Sequence, residues 1–231
     1  MGIRESLDIS AYLVAGPENC KGRLFGKVVR QAVDAGFTCV QVRAKDCSAR
    51  QMMDCVREAE QAIASAGKQD RVALLVNDRL DVALACRDAG MKVDGIHVGQ
   101  TDIPIEVCRR YLGPDAIVGL SAGVRQMIDY VRAFDASCVD YFGVGPLHET
   151  ETKKDLRKRE DGSVITRTID ELEELARITP VPVVVGGGVK LPDIPVIKAT
   201  GLHGFFVVSA VCGAQDPYSA ARELVDAWGE A

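Results

Sequence analysis

This chain has no excess of positive charge. Its 231 residues carry 28 Lys and Arg against 33 Asp and Glu, a formal net charge of −5 at pH 7. Gripping a nucleic-acid backbone takes a broad basic face, so a protein devoted to nucleic acid is excluded. A small phosphorylated ligand is not excluded, because it needs only a few local cations. Eight cysteines are present, yet there is no C-x-x-C and no Cys/His pair at zinc spacing. Cys39, Cys47 and Cys55 recur every eight residues, but they fall in a strand pattern, a turn and a helix, and so make no common site. The opening "MGIRESLDIS" has no apolar leader, and no run approaches the ~20 apolar residues of a membrane span. The expected setting is a reducing cytoplasm, with the cysteines acting as small buried hydrophobes. Linkers, low-complexity tracts and domain boundaries are also missing, so residues 1–231 are expected to form a single domain.

What is present is an alternation. Short β-branched runs recur: "AYLVA" at 11–15, "TCVQVR" at 38–43, "VALLVN" at 72–77, "GIHV" at 95–98, "IVGLS" at 117–121, "DYFGV" at 140–144, "VPVVVG" at 181–186 and "GFFVVS" at 204–209. Between them lie segments such as "ARQMMDCVREAEQAIASAG" and "RTIDELEELARIT", whose apolar residues follow the three-and-four spacing of a helix buried on one face. "AGFTCV", "AGMKVDGIHV" and "ATGLHGFFVV" each set a glycine between helix and strand, as helix C-termini favour. Eight such units predict parallel strands with right-handed crossovers, closed into one (β/α)8 TIM barrel. An open doubly wound sheet is the alternative. It usually carries a G-x-G-x-x-G first turn, and "AGPENCKGR" is not one.

In such a barrel the chemistry gathers where strands end, in the loops that lead into helices. Following the strands in order, those positions hold Gln41, Arg43 and Lys45; Asn77 and Asp78; Gln100 and Asp102; Ser121; Thr150, Thr152 and Lys153; Gly186 to Gly188; and Val208 with Ser209. Taken singly, each has an ordinary explanation as a turn, a cap or a surface charge. Together they put cations, two carboxylates and two anion-binding turns on one rim. Gly188 and the Val208–Ser209 turn follow the seventh and eighth strands, where barrels commonly hold phosphate on backbone N–H groups. Asp78 and Asp102 are hard oxygen donors from neighbouring strand ends, suited to magnesium shared with ligand phosphates. Arg43, Lys45 and Lys153 suit a second, larger anion. The pattern suggests a diphosphate leaving group beside a monophosphate substrate. His97 is expected to be a packed residue, His148 is within possible reach of substrate but is assigned no role, and His203, Asp94 and Asp140 are expected at the opposite end. No nucleophile–base pair stands out.

In order along the chain, "VQVRAKD", "LLVNDRLDVALA", "DGIHVGQTDIP", "VGLSAG", "DYFGVGPLHETETKKD", "PVVVGGGV" and "GFFVVSAV" resemble the thiamine-phosphate synthase (pyrophosphorylase) family from about Tyr12 to Val211. The resemblance implies a cytoplasmic, magnesium-using transferase of thiamine biosynthesis. Such enzymes join 4-amino-5-hydroxymethyl-2-methylpyrimidine diphosphate to 4-methyl-5-(2-hydroxyethyl)thiazole phosphate through a dissociative pyrimidine cation. Its partners would be those small molecules, with no nucleic acid and no membrane, and a homo-oligomer stays open. By matched motif, Gln41 would meet the pyrimidine. Arg43, Lys45, Asn77 and Lys153 would hold the diphosphate with Ser121 beside it, and Arg43, Lys45, Ser121 and Lys153 would be the catalytic set. Asp78 and Asp102 would bind magnesium, and Thr150, Thr152, Gly188, Val208 and Ser209 would hold the thiazole phosphate. The chain departs from the pattern at Ala44, where an acid is common, at Gly123, where a histidine or threonine is common, and at "LVAGPE" after the first strand. The segment after Lys154 is also longer than usual and is a candidate lid. Two alternatives are a related thiazole tautomerase, which would have a histidine in place of Gly123 and no counterpart of Asp102, and a non-catalytic barrel that binds thiamine precursors.

Overall fold

The computed structural model describes residues 2–124, 126–150 and 164–231. Eight parallel strands close into a barrel in sequence order: β1 (Ala11–Ala15), β2 (Cys39–Val42), β3 (Ala73–Asn77), β4 (Gly95–Val98), β5 (Ile117–Ser121), β6 (Tyr141–Val144), β7 (Val183–Gly186) and β8 (Gly204–Val207). Closure is made where Leu13 of β1 pairs with Val207 of β8. The surrounding helices are α1 (Phe25–Ala35), α2 (Ala49–Ser65), α3 (Leu80–Asp88), α4 (Ile105–Leu112), α5 (Met127–Ala133), α6 (Ile169–Ile178), α7 (Asp193–Ala199), α8 (Ser209–Cys212) and α9 (Pro217–Glu230). Among the described residues there are therefore nine α-helices rather than the eight expected. The extra one is α8, a single turn between β8 and the final helix. None of these helices is long and apolar enough to cross a membrane.

Local chemistry sets the boundaries. Ser48 and Gln51 form a reciprocal cap at the start of α2, and Thr168 and Glu171 do the same for α6. Asp216 accepts from the Tyr218 and Ser219 amides, with Pro217 opening α9. Gly36, which ends α1, has φ 115°, a conformation that an L side chain resists. Strand β7 begins at Val183, two residues later than the apolar run suggests, because Pro182 has no N–H to give a ladder.

Two apolar cores result. The outer one lies between strands and helices and takes Val40 and Val42 of β2 together with Val28, Val29, Val56 and Ile63 of α1 and α2. The inner one fills the barrel with Tyr12, Val14, Cys39, Leu75, Ile117, Tyr141 and Val184. The alternation in β2 is thereby resolved. The valines face the helices, and Gln41 faces the barrel interior. At the strands' N-terminal end, Asp140 accepts from Arg4 at 2.7 Å, Arg109 at 2.6 Å and the Val118 amide at 2.7 Å, which ties that end shut.

Candidate active site

At the C-terminal mouth the strand ends surround a cavity of about 750 Å³. Every predicted site residue within the described part of the chain borders it: Gln41, Arg43, Lys45, Asn77, Asp78, Asp102, Ser121, Thr150, Gly188, Val208 and Ser209. Thr152 and Lys153, together with the segment from Leu156 to Ser163 that was a candidate lid, lie outside the described residues.

The carboxylates show how the site is strained. Asp78 directly follows β3 with φ 59°, a left-handed conformation that Asp tolerates better than most residues. Asp102 is drawn back over the mouth by the turn "GQTD", its Oδ2 accepting from the Gly99 amide at 2.7 Å. The two carboxyl groups meet. Burial, then the negative charge of Asp102, lifts the Asp78 pKa to about 6, while Lys45 at 3.9 Å pulls it back only in part. Two adjacent hard oxygen donors, with Lys45 the nearest cation among the described residues, make a fitting seat for a divalent cation. Among the described residues no group of three or more His, Cys, Asp or Glu gathers at metal distance.

On the opposite side of the mouth, Gly187 and Gly188 both have positive φ, 84° and 75°. A Cβ on Gly188 would sit 2.8 Å from the His148 Cβ, so only glycine lets this loop pack on the loop after β6. The His148 amide donates to the Gly187 carbonyl at 3.0 Å, which joins the two loops. Next to them, Ser209 is the first residue of α8, and Val208, Ser209 and Ala210 line the mouth. His148 Nε2 donates to Asp193 Oδ1 at 2.9 Å, at the rim.

The floor holds what sequence reasoning missed. His97 is not merely packed. It borders the cavity, with Nδ1 2.8 Å from the Tyr141 hydroxyl and Nε2 3.0 Å from Ser121 Oγ. Tyr141 in turn lies 2.8 Å from the Tyr12 hydroxyl, to which the Gln41 amide donates. Gln100 braces the same wall by donating to the Ser121 carbonyl at 2.7 Å. What finds them is phase combined with register, and the register is not visible in the sequence. Once Gln41 and Ser121 point inward, alternation turns Cys39 and Gly119 inward too, and the registers Tyr12↔Cys39 and His97↔Gly119 carry that phase to the neighbouring strands.

Two departures from the family pattern have physical explanations. Ala44 is 4% exposed and packs in the outer core, where an acid would be desolvated. At Gly123 a Cβ would stand 2.9 Å from the Gly145 carbonyl oxygen, so a side chain there would displace backbone.

The model of the thiamine monophosphate synthase family matches residues 11–211. The chain is similar to a thiamine-phosphate synthase of Corynebacterium efficiens, 33% identical over 228 residues and covering 99% of both chains. It is also similar to one from Vibrio campbellii, 37% identical over 199 residues, 86% of this chain and 88% of that one. Among solved structures, a thiamine phosphate pyrophosphorylase from Pyrococcus furiosus superposes with a TM-score of 0.77 at 27% identity, covering 96% of each chain. An orotidine 5'-phosphate decarboxylase from Pyrococcus horikoshii, 10% identical with a TM-score of 0.63, shares the fold alone. The chain belongs to the thiamine monophosphate synthase family.

Proposed function

We propose that this enzyme, a transferase of thiamine biosynthesis by its family, joins the aminopyrimidine diphosphate to the thiazole phosphate with magnesium at Asp78 and Asp102. The observation that carries this reading is the pairing, in one cavity, of crowded carboxylates beside cations on one wall with a glycine turn and helix start on the other. The C–O bond between the pyrimidine methylene and the diphosphate breaks, and its electron pair leaves with the diphosphate. The thiazole nitrogen then gives its lone pair to the methylene carbon.

Such a step asks for charge stabilisation on the leaving group and little proton transfer. Arg43 and Lys45 supply fixed positive charge beside the diphosphate, with Lys153 as a third cation by motif. Asn77 and Ser121 donate hydrogen bonds to it. Magnesium, when bound, supplies Lewis-acid neutralisation of the departing oxygens. Gln41 orients the pyrimidine from the floor. Gly188, Val208, Ser209 and Thr150, with Thr152 by motif, hold the thiazole phosphate through N–H and O–H donors. The crowding at Gly123 and the presence of Asp102 weigh against the tautomerase alternative. The cytoplasm is the compartment this role implies. The test is to supply both substrates with magnesium and identify the products. Thiamine phosphate and diphosphate in equal amounts are expected, and absence of both across a broad magnesium range would refute the reading.

A further inference from the structure

We propose that Tyr12, Tyr141 and His97 form a positioning relay across the barrel floor, coupling occupancy of the anion site at Ser121 to which face of the Gln41 amide meets the pyrimidine. The inference rests on the reading above for the ligands of Gln41 and Ser121.

The chain is continuous. Gln41 Nε2 donates to the Tyr12 hydroxyl. The Tyr12 and Tyr141 hydroxyls are 2.8 Å apart, Tyr141 is 2.8 Å from His97 Nδ1, and His97 Nε2 is 3.0 Å from Ser121 Oγ. Its parts come from β1, β2, β4, β5 and β6, and Tyr12 lies 129 positions from Tyr141 in sequence. Space for it is provided by two glycines. A Cβ on Gly119 would collide with the Tyr141 ring, and one on Gly143 would come within 2.9 Å of His97 Cε1. Both phenols are fully buried, and that burial pushes their pKa values up, so they pass hydrogen bonds as neutral hydroxyls.

A phenol has one proton and a neutral imidazole has one N–H, so the direction of each link dictates the next. Suppose Ser121 gives its proton to an anion. Its oxygen then accepts from His97 Nε2–H, and Nδ1 becomes the acceptor for Tyr141. Tyr141 accepts from Tyr12, and Tyr12 accepts from the Gln41 NH₂. That leaves the Gln41 carbonyl oxygen for the cavity, where it accepts from an exocyclic amine. Among the described residues this oxygen has no other hydrogen-bond partner. If Ser121 instead donates to His97, every link reverses. Tyr12 then donates to the Gln41 oxygen, and the amide NH₂ faces the cavity and repels an amine. An anion at Ser121 thus selects the arrangement that reads an aminopyrimidine. Tyr141 sits under the floor and does not border the cavity, so it can be altered without touching ligand.

The experiment is calorimetry on the full chain with magnesium. The affinity for the aminopyrimidine alcohol is measured with and without inorganic diphosphate, in wild type, Tyr141→Phe and, as a second variant, Tyr12→Phe. In wild type, diphosphate is expected to tighten aminopyrimidine binding at least threefold. In either phenylalanine variant that tightening is expected to fall to within experimental error of onefold, while diphosphate alone binds within threefold of wild type. Undiminished tightening in both variants, or no tightening in wild type while each ligand binds alone, overturns the relay. Failure of wild type to bind either ligand overturns instead the functional reading on which it rests.

Discussion

Aspartates stand at both ends of this barrel and do opposite work. At the closed end, Asp140 is saturated by Arg4, Arg109 and a backbone amide, and Asp94 takes Lys92 at 2.7 Å and the Leu74 amide at 2.7 Å. Their negative charge is matched donor for donor. At the open end, Asp78 and Asp102 face each other, and Lys45 at 3.9 Å is a weak answer to two charges. One end uses carboxylates to hold the fold. The other sets two of them against each other with, among the described residues, only Lys45 close by, an arrangement that the proposed magnesium and diphosphate would complete. Barrels generally divide stability and chemistry between their two ends in this way, and here the same residue type shows the division directly.

The largest effect that would break the comparison lies at the closed end. Asp140→Ala leaves two guanidinium groups without their partner and is expected to cost about 3 kcal/mol of folding stability. Urea unfolding measures this, and activity per folded molecule should stay near wild type. At the open end Asp78→Asn should do the reverse. Turnover should fall at least tenfold, about 1.4 kcal/mol in the barrier. Stability of the metal-free protein at pH 7 should hold or rise by on the order of 1 kcal/mol, because a crowded charge is removed. Asparagine also tolerates the left-handed backbone at this position.

The pH dependence sharpens the same point. The Asp78 pKa is raised to about 6 in the fold from an ordinary 3.8. Between those values the folded state binds more protons than the unfolded state. Its contribution is fully present below the ordinary value and is lost as pH rises through about 6. Metal-free wild type should therefore lose stability, relative to Asp78→Asn, between pH 4 and 6 and run parallel to it above that range. Parallel curves throughout would remove the crowding. The smallest effect belongs to neither end. Arg222→Ala, which breaks an exposed pair with Asp226 on α9, should leave the urea midpoint within experimental error of wild type.

The barrel was legible because its signal is local. Strands β1, β4 and β5 coincide with their apolar runs, and glycines after α1, α3 and α7 mark the returns to the sheet with positive φ. The rim was legible for the same reason, since residues just past a strand must lie at the mouth. Legibility failed where a feature depends on distance or brevity. Four residues are too few for α8 to show a helical period. The Tyr12–Tyr141 contact joins strands with no local sign of each other, and without it His97 looks like any packed strand residue.

Completion of the Asp78–Asp102 pair by a cation is tested most directly by one titration. Diphosphate release is followed against magnesium with both substrates present, for wild type beside Asp78→Asn. The expected result is a saturable rise with magnesium in wild type and a rate at least tenfold lower in the variant. A metal-independent rate in wild type, or superimposable curves for the two proteins, would contradict it.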